Sequence, residues 1–133
     1  MHTKDGHYYF WTVTIMRVVP TYFVFAIMLS MLLYPGGNIQ ELKKALQPYS
    51  KSPIYLTIDL DWFDPSLLAG TGTPEPGGFF WNDFEEILTT LKDFRIVASD
   101  IVELSPEIDK SGVSSIVAAK VLRSLILSLE NMQ

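Results

Sequence analysis

The sequence predicts an α/β fold, in which parallel strands form a sheet and helices pack against it. Two short apolar runs rich in β-branched residues, 54–58 and 95–99, have the composition of strands. Each is followed by a loop and then by apolar residues at helical spacing, in 84–91 and in 113–129. This order of strand, loop and helix is typical of a parallel sheet covered by helices.

The first fifty residues form a strongly apolar segment of uncertain origin, residues 1–50. No charged residue lies between Arg17 and Glu41, and residues 18–34 are almost continuously apolar. A membrane-spanning helix needs about 20 such residues, so this run is marginal, and Pro20 lies near its start. We interpret it as a buried strand or helix, and membrane association of 18–34 remains the alternative.

A short amphipathic helix is predicted after the breaker sequence 35–38, and it ends before Pro48. Its apolar residues are Ile39, Leu42, Ala45 and Leu46. The first strand, 54–58, reads as buried on both faces. The loop that follows, 65–78, holds three prolines and four glycines, which favours an ordered loop at a functional site.

Two further helices are predicted in the second half of the chain. The first begins with Asn82 or Asp83 as its N-cap. Its apolar stripe is Phe84, Ile87, Leu88 and Leu91. The last helix begins at Ser111 or Gly112. The stripe predicted to face the core is Val113, Ile116, Val117, Val121, Leu122, Leu125 and Leu129.

Composition limits the classes of function. A chain of 133 residues forms one domain at most. A net charge of −5, without a cluster of Lys or Arg, argues against a nucleic-acid partner. Cysteine is absent, which excludes disulfides and thiolate metal sites within this sequence and fits a cytoplasmic location.

Three carboxylates follow the first predicted strand, namely Asp59, Asp61 and Asp64. Side chains alternate along a strand, so Asp59 and Asp61 are expected to point to the same side. Two close carboxylates repel each other unless a cation lies between them, and their oxygens suit a hard divalent metal such as Mg²⁺ or Mn²⁺. The alternative interpretation is that they are solvated acids at the start of a turn.

Four stretches extend this pattern: Thr57-Ile58-Asp59-Leu60-Asp61, Asp64-Pro65, Gly70-Thr71-Gly72-Thr73-Pro74-Glu75-Pro76-Gly77-Gly78 and Ser99-Asp100-Ile101-Val102-Glu103-Leu104-Ser105-Pro106. Together they resemble the C-terminal signature of the ureohydrolases, the family of arginases and agmatinases. The Pro-Glu-Pro-Gly-Gly and Glu-Leu-Ser-Pro segments are closer to agmatinases than to arginases. The resemblance covers residues 51–130.

The resemblance implies that residues 51–133 are the C-terminal part of a ureohydrolase-like domain, a partial three-layer α/β/α parallel sheet. Family members hydrolyse a guanidino compound to urea and an amine with a hydroxide held by two Mn²⁺ ions. Asp59 and Asp61 match two metal ligands of the family. Glu103 matches the acid that binds the guanidinium group, and Asp64 is expected to shape the turn. The implied substrate is agmatine-like, which indicates polyamine metabolism. Half of such a sheet leaves a strand edge and apolar faces uncovered, so we expect the chain to form a homo-oligomer.

The family's other metal ligands, a histidine and an Asp-x-His-x-Asp run, have no match in this sequence. Asp5-Gly6-His7 is similar to the start of that run, but Tyr9 stands in the place of its last ligand. We therefore assign neither His2 nor His7 as a ligand, and we assign no catalytic residue. With half of the metal ligands, the chain is expected to be truncated, to bind Mn²⁺ weakly and to have little or no activity.

Two other functions remain open from the sequence. One is a truncated, non-catalytic paralogue that acts only by associating with other chains. The other is a phosphatase of the haloacid dehalogenase type, which also carries an Asp-x-Asp pair after an apolar strand. That class has Thr or Val two residues after the second Asp, where this chain has Phe63, so we rank it lowest.

Overall fold

The structure is a computed structural model that describes residues 16–17, 25–27 and 39–130. These residues contain a four-stranded sheet with its strands in sequence order. The strands are β1 (Met16–Arg17), β2 (Phe25–Ile27), β3 (Ile54–Asp59) and β4 (Ile96–Val102). β2, β3 and β4 run parallel, whereas β1 is antiparallel to β2.

The described residues also contain three α-helices, which lie between and after these strands. They are α1 (Ile39–Leu46), α2 (Trp81–Leu91) and α3 (Val113–Glu130). Short 3₁₀ turns follow α1 and β3, at Gln47–Tyr49 and Leu60–Trp62. The predicted order of strand, loop and helix after residue 51 is confirmed, as is the helix that ends before Pro48.

All three helices pack on one face of the sheet. Alternation along β3 puts Ile54, Leu56 and Ile58 on the same face. Leu56 and Ile58 pack against a core cluster that includes residues of α2 and α3. Ile54 belongs to a second cluster, with residues of α1 and the end of α2. β3 was predicted to be buried on both faces, and this is wrong, because only its first residue is buried and the rest are half-buried.

Two predicted boundaries need correction. β4 continues to Val102, past the predicted end at Ser99, because residues 100–102 pair in register with residues 57–59 of β3. Within this extension, Asp100 accepts a hydrogen bond of 2.8 Å from the Tyr55 hydroxyl. The N-cap of α2 is Phe80, which makes Asp83 the third residue of the helix. The Asp83 carboxylate still serves the helix terminus, since it accepts a hydrogen bond of 2.8 Å from the Phe80 N–H.

The side of the last helix that faces the core overlaps the predicted stripe only in part, with Val121 and Leu125 buried as expected and Val117 and Leu129 packed against the core. The helix begins at Val113. The buried residues are Ser114, Ala118, Val121, Leu125 and Ser128. Three members of the predicted stripe, Val113, Ile116 and Leu122, are instead 48% to 59% exposed. Because α3 is apolar on several sides, small residues decide which side packs closest to the rest of the molecule.

The first fifty residues can be compared with their prediction only in part. Residues 18–34 lie outside the described residues except for the three of β2, and His2 and His7 lie outside them as well. Among the helices that the structure describes, none is long and apolar enough to cross a membrane.

Candidate metal and substrate site

Asp59 and Asp61 lie at the carboxyl-terminal end of β3. Asp59 is the last residue of the strand, and Asp61 lies in the 3₁₀ turn that follows it. The Asp61 N–H donates a hydrogen bond of 2.9 Å to Asp59 Oδ1. The structure therefore brings the two acids together, but a turn does so rather than the strand alternation that the sequence suggested.

Glu103 lies at the same edge of the sheet, as predicted. Asp59 pairs in register with Val102, so Glu103 comes directly after the partner strand. Its side chain is exposed, and its backbone has a left-handed conformation with a φ of 67°, which is uncommon for a residue other than glycine. This turn of the backbone ends β4 and takes the chain out of the sheet at the site.

The electrostatic surroundings of Asp59 disfavour its charged form. Burial is the main cause, and the negative charges of Asp61 and Glu103 add to it, so that the pKa of Asp59 is raised to about 6. The hydrogen bond from the Asp61 N–H acts in the opposite direction. A cation placed between these acids would offset the repulsion, so the pair is a candidate cation site.

The loop between β3 and α2 is closed at its base by main-chain bonds. The Asp64 N–H donates to the Phe79 carbonyl at 2.9 Å, and the Phe79 N–H donates to the Trp62 carbonyl at 3.0 Å. The rings of Trp62 and Phe79 stack with centroids 4.4 Å apart. Gly78 is required there, since a Cβ atom would lie 2.5 Å from the Asp64 nitrogen. We call this base the loop neck, residues 62–64 and 78–79.

Asp64 shapes this loop, as predicted. Its carboxylate accepts hydrogen bonds from the N–H and hydroxyl of Ser66 and from the Gly77 N–H. These bonds favour the charged form and lower the pKa of Asp64. With its oxygens engaged by the loop, Asp64 is a turn-forming residue.

Sequence reasoning missed two polar contacts at the site. The Thr73 hydroxyl donates a hydrogen bond to Asp61 Oδ2. The other oxygen, Asp61 Oδ1, is buried and has no hydrogen-bond partner in the described part of the chain. Within β4, Asp100 accepts a hydrogen bond from the Tyr55 hydroxyl and also keeps a buried oxygen that lacks a partner among the described residues. A threonine in a glycine-rich loop carries no sequence signal for such a contact.

Asp59 and Asp61 fit part of a metal-binding shell. The buried, unpartnered oxygen of Asp61 and the raised pKa of Asp59 both favour a divalent cation. Residues 16–17, 25–27 and 39–130 contain no group of three or more His, Cys, Asp or Glu side chains placed to hold a metal. The described residues therefore offer two carboxylates, and a complete shell requires further ligands.

Comparison with known proteins identifies the family. A sequence model of the arginase family matches residues 30–128. The chain belongs to the arginase family. The resemblance found in the sequence begins at residue 51, whereas the match to the family model begins earlier, at residue 30. The boundary between residues 1–50 and 51–133 stays a prediction.

The chain is similar to agmatinases and to a related amidinohydrolase. The agmatinase of Chromobacterium violaceum is 38% identical over 95 residues, which cover 71% of this chain and 29% of that protein. A structure of the proclavaminate amidinohydrolase of Streptomyces clavuligerus has a TM-score of 0.65 at 28% identity, covering 72% of this chain and 33% of that one. The agmatine ureohydrolase of Thermoplasma volcanium has a TM-score of 0.58 at 31% identity, covering 72% and 32%.

These comparisons confirm the predicted family and the predicted arginase-type α/β fold. The chain spans about a third of the length of the relatives that it matches. The comparisons give no support to the haloacid dehalogenase alternative.

Proposed function

We propose that the chain is an agmatinase-type ureohydrolase unit, in which Asp59 and Asp61 are Mn²⁺ ligands and Glu103 binds the guanidinium group of the substrate. The observation that supports this most directly is the meeting of the three acids at one edge of two neighbouring parallel strands. The family relationship adds the reaction class, hydrolysis of a guanidino compound to urea and an amine. The proposal includes a cytoplasmic location.

Each acid has a separate role in this proposal. Asp59 and Asp61 would hold Mn²⁺ through the oxygens that the loop leaves available, and metal ions of this kind supply a hydroxide nucleophile near neutral pH. Glu103 is exposed beside the pair, where a carboxylate can accept two parallel N–H bonds from a planar guanidinium group. The Gly72 backbone lies close to it, since a Cβ atom there would be 3.9 Å from Glu103 Oε2, so the loop and Glu103 border the same space.

The isolated chain is expected to have little or no activity. Two carboxylates do not fix the position of a metal, because affinity and geometry depend on the number of ligands. Further ligands have to come from a part of the family fold outside the described residues. Agmatine is the proposed substrate, as suggested by the names of the most similar relatives.

The test is urea release from agmatine, arginine and guanidinobutyrate in the presence of Mn²⁺. It is run on the purified chain and on a chimera that adds the upstream part of the Chromobacterium violaceum agmatinase. We expect weak or no release from the chain alone and clear release from the chimera. Asp59→Asn and Asp61→Asn should abolish that release, whereas Glu107→Gln, an exposed acid in the next loop, should retain it. Release from the chimera that survives both aspartate substitutions would refute the assigned roles.

The proposed assembly is a homo-oligomer. Its support is the outward side of α3, where Val113, Ile116, Leu122, Ile126 and Leu127 are 41% to 59% exposed. Size-exclusion chromatography with light scattering should show an oligomer, and Ile116→Glu with Ile126→Glu should shift it to smaller species. A monomer across the micromolar range would contradict this part of the proposal.

A further inference from the structure

We infer that Thr73 is a positioning residue of the metal site, which orients the Asp61 carboxylate so that one of its oxygens is presented to the cation. This inference rests on the proposed function, because it requires Asp61 to be a metal ligand. It adds a residue whose role concerns the affinity for the metal. Thr73 is exposed, so its hydroxyl has no need of a partner for its own burial.

The two oxygens of Asp61 have different surroundings. Oδ2 accepts the hydrogen bond from the Thr73 hydroxyl, whereas Oδ1 is buried without a partner among the residues that the structure describes. A buried carboxylate oxygen without a hydrogen bond is costly unless a cation replaces the missing donor. The Thr73 bond fixes the rotation of the carboxylate, and the orientation that it fixes leaves Oδ1 available.

Asp59 follows the same pattern. One of its oxygens, Oδ1, is held by the Asp61 N–H at 2.9 Å. Each acid of the pair therefore has one oxygen engaged by the protein. Hydrogen bonds to metal ligands from outside the coordination shell orient those ligands and commonly change metal affinity by about 10- to 100-fold.

The Thr73 hydroxyl is itself held in place by the anchored loop. On one side, the Gly70 N–H donates to Ser114 Oγ at 2.8 Å, and the Gly70 carbonyl accepts from the Ser105 N–H at 2.7 Å. On the other side, the Gly77 N–H donates to Asp64 at 2.8 Å. The loop between these two anchors carries Thr73 to Asp61. The position of Asp61 is in this way linked to helix α3 and to the segment after β4.

Thr71 provides a matched control in the same loop. Its hydroxyl is buried and has no hydrogen-bond partner within the described ranges. Replacing either threonine by valine removes one hydroxyl from a side chain of the same shape. If the effect on metal binding came only from a general change in the loop, both substitutions would weaken it.

The experiment is a Mn²⁺ titration of the full chain, in which electron paramagnetic resonance measures the free ion. The variants are Thr73→Val, Thr73→Ser, Thr71→Val and Asp61→Asn, and thermal melts in chelator establish that each is folded. We expect Thr73→Val to raise the Kd about 10-fold. Thr73→Ser, which keeps the hydroxyl, and Thr71→Val should stay close to the wild-type Kd.

Two results would overturn the inference, and they are distinguishable from failure of the proposed function. Unchanged affinity in Thr73→Val, with Mn²⁺ binding that Asp61→Asn abolishes, refutes the role of Thr73 alone. An equal loss in Thr71→Val and Thr73→Val reduces the role to loop stability. Wild-type protein without any Mn²⁺ binding that depends on Asp61 refutes the inference together with a metal site in this chain alone, whereas the proposed function fails only if urea release from the chimera survives Asp61→Asn.

Discussion

Two pairs of aspartates differ in how many hydrogen-bond donors the protein provides to their carboxylates. Asp64 accepts hydrogen bonds from its own loop, and Asp109 accepts them from its loop and from the first turn of α3. These bonds lower the pKa of both carboxyl groups. Asp59 instead has its pKa raised to about 6, mainly by burial, and Asp61 keeps a buried oxygen that the described residues leave unpartnered. The acids that hold loops are thus supplied with donors, and the acids of the proposed site are left short of them.

The largest effect on stability is expected from Asp109→Ala. Asp109 accepts bonds from the N–H and hydroxyl of Ser111 and of Ser114, and Ser114 lies in the first turn of α3. Its removal leaves the start of an 18-residue helix without these acceptors. Differential scanning calorimetry should show a larger fall in melting temperature than for any other single substitution proposed here. Glu107→Ala, two residues away and exposed, is the control and should change little.

Ser114→Ala should have the next largest effect. Ser114 is 1% exposed, and its hydroxyl both accepts from the Gly70 N–H and donates to Asp109. The substitution leaves the Gly70 N–H unpaired, which costs about 1–3 kcal/mol of unfolding free energy. Urea denaturation measures this difference. Ser128→Ala is the control, because that hydroxyl is buried without a partner in the described residues, so its loss should be close to neutral.

Asp59→Asn should alter how stability depends on pH. The folded pKa of Asp59, about 6, lies above its ordinary value of 3.8, so the stability that this group contributes is complete below pH 3.8 and is lost as the pH rises through 6. The asparagine side chain of the variant has no proton to lose in this range, so the variant should not show this loss. We expect it to be more stable than wild type by about 1 kcal/mol at pH 7, less than the full shift because the group is only half-buried.

Asp64→Asn is the control with the opposite sign. The pKa of Asp64 is lowered from its ordinary value of 3.8, so its stabilisation is present above pH 3.8 and is lost as the pH falls through the folded pKa. This variant should therefore be less stable than wild type at pH 7. Melts from pH 3 to pH 8 without divalent cations measure both curves. If the Asp59→Asn variant were no more stable than wild type at pH 7, the contrast between the two pairs of aspartates would be wrong.

The smallest effect is expected from Thr71→Val. A buried hydroxyl without a partner contributes no net stability, so its replacement by a methyl group should change the unfolding free energy by less than about 1 kcal/mol, in the stabilising direction. Chemical denaturation of the variant beside wild type measures this. A clear loss of stability would show that the Thr71 hydroxyl has a partner in solution.

Local patterns predicted the elements well. The apolar residues of α1 and α2 recur at helical spacing, and β3 has the composition of a strand. These elements could be predicted because they depend on residues close together in the sequence. The same reasoning placed Asp59 and Glu103 at one edge, because parallel strands end at the same edge of a sheet. The side of α3 that faces inward was predicted only in part. Val121 and Leu125 are buried as expected, but apolar residues lie on several sides of the helix, so the close packing of Ser114 and Ala118 could not be predicted.

The finer features of the site depend on contacts between distant parts of the chain. Strand alternation predicted the pairing of Asp59 and Asp61 by the wrong route, since it could not show that the strand stops at Asp59. The Thr73 bond depends on how a loop returns to its starting strand. Periodicity carries no information about such a return, which is fixed by anchors at Gly70 and Gly77.

The loop neck has a consequence for how this chain can diversify. Its two main-chain bonds and the stacked rings hold the loop ends together whatever residues lie between them. Residues 74–76 are exposed and lie in the loop between Thr73 and Gly77. Exchanges of exposed side chains in this short segment leave the main-chain bonds of the neck in place, in the way that variable segments do on a constant framework. A library randomised at these three positions is therefore a practical starting point for changing preference among guanidino compounds.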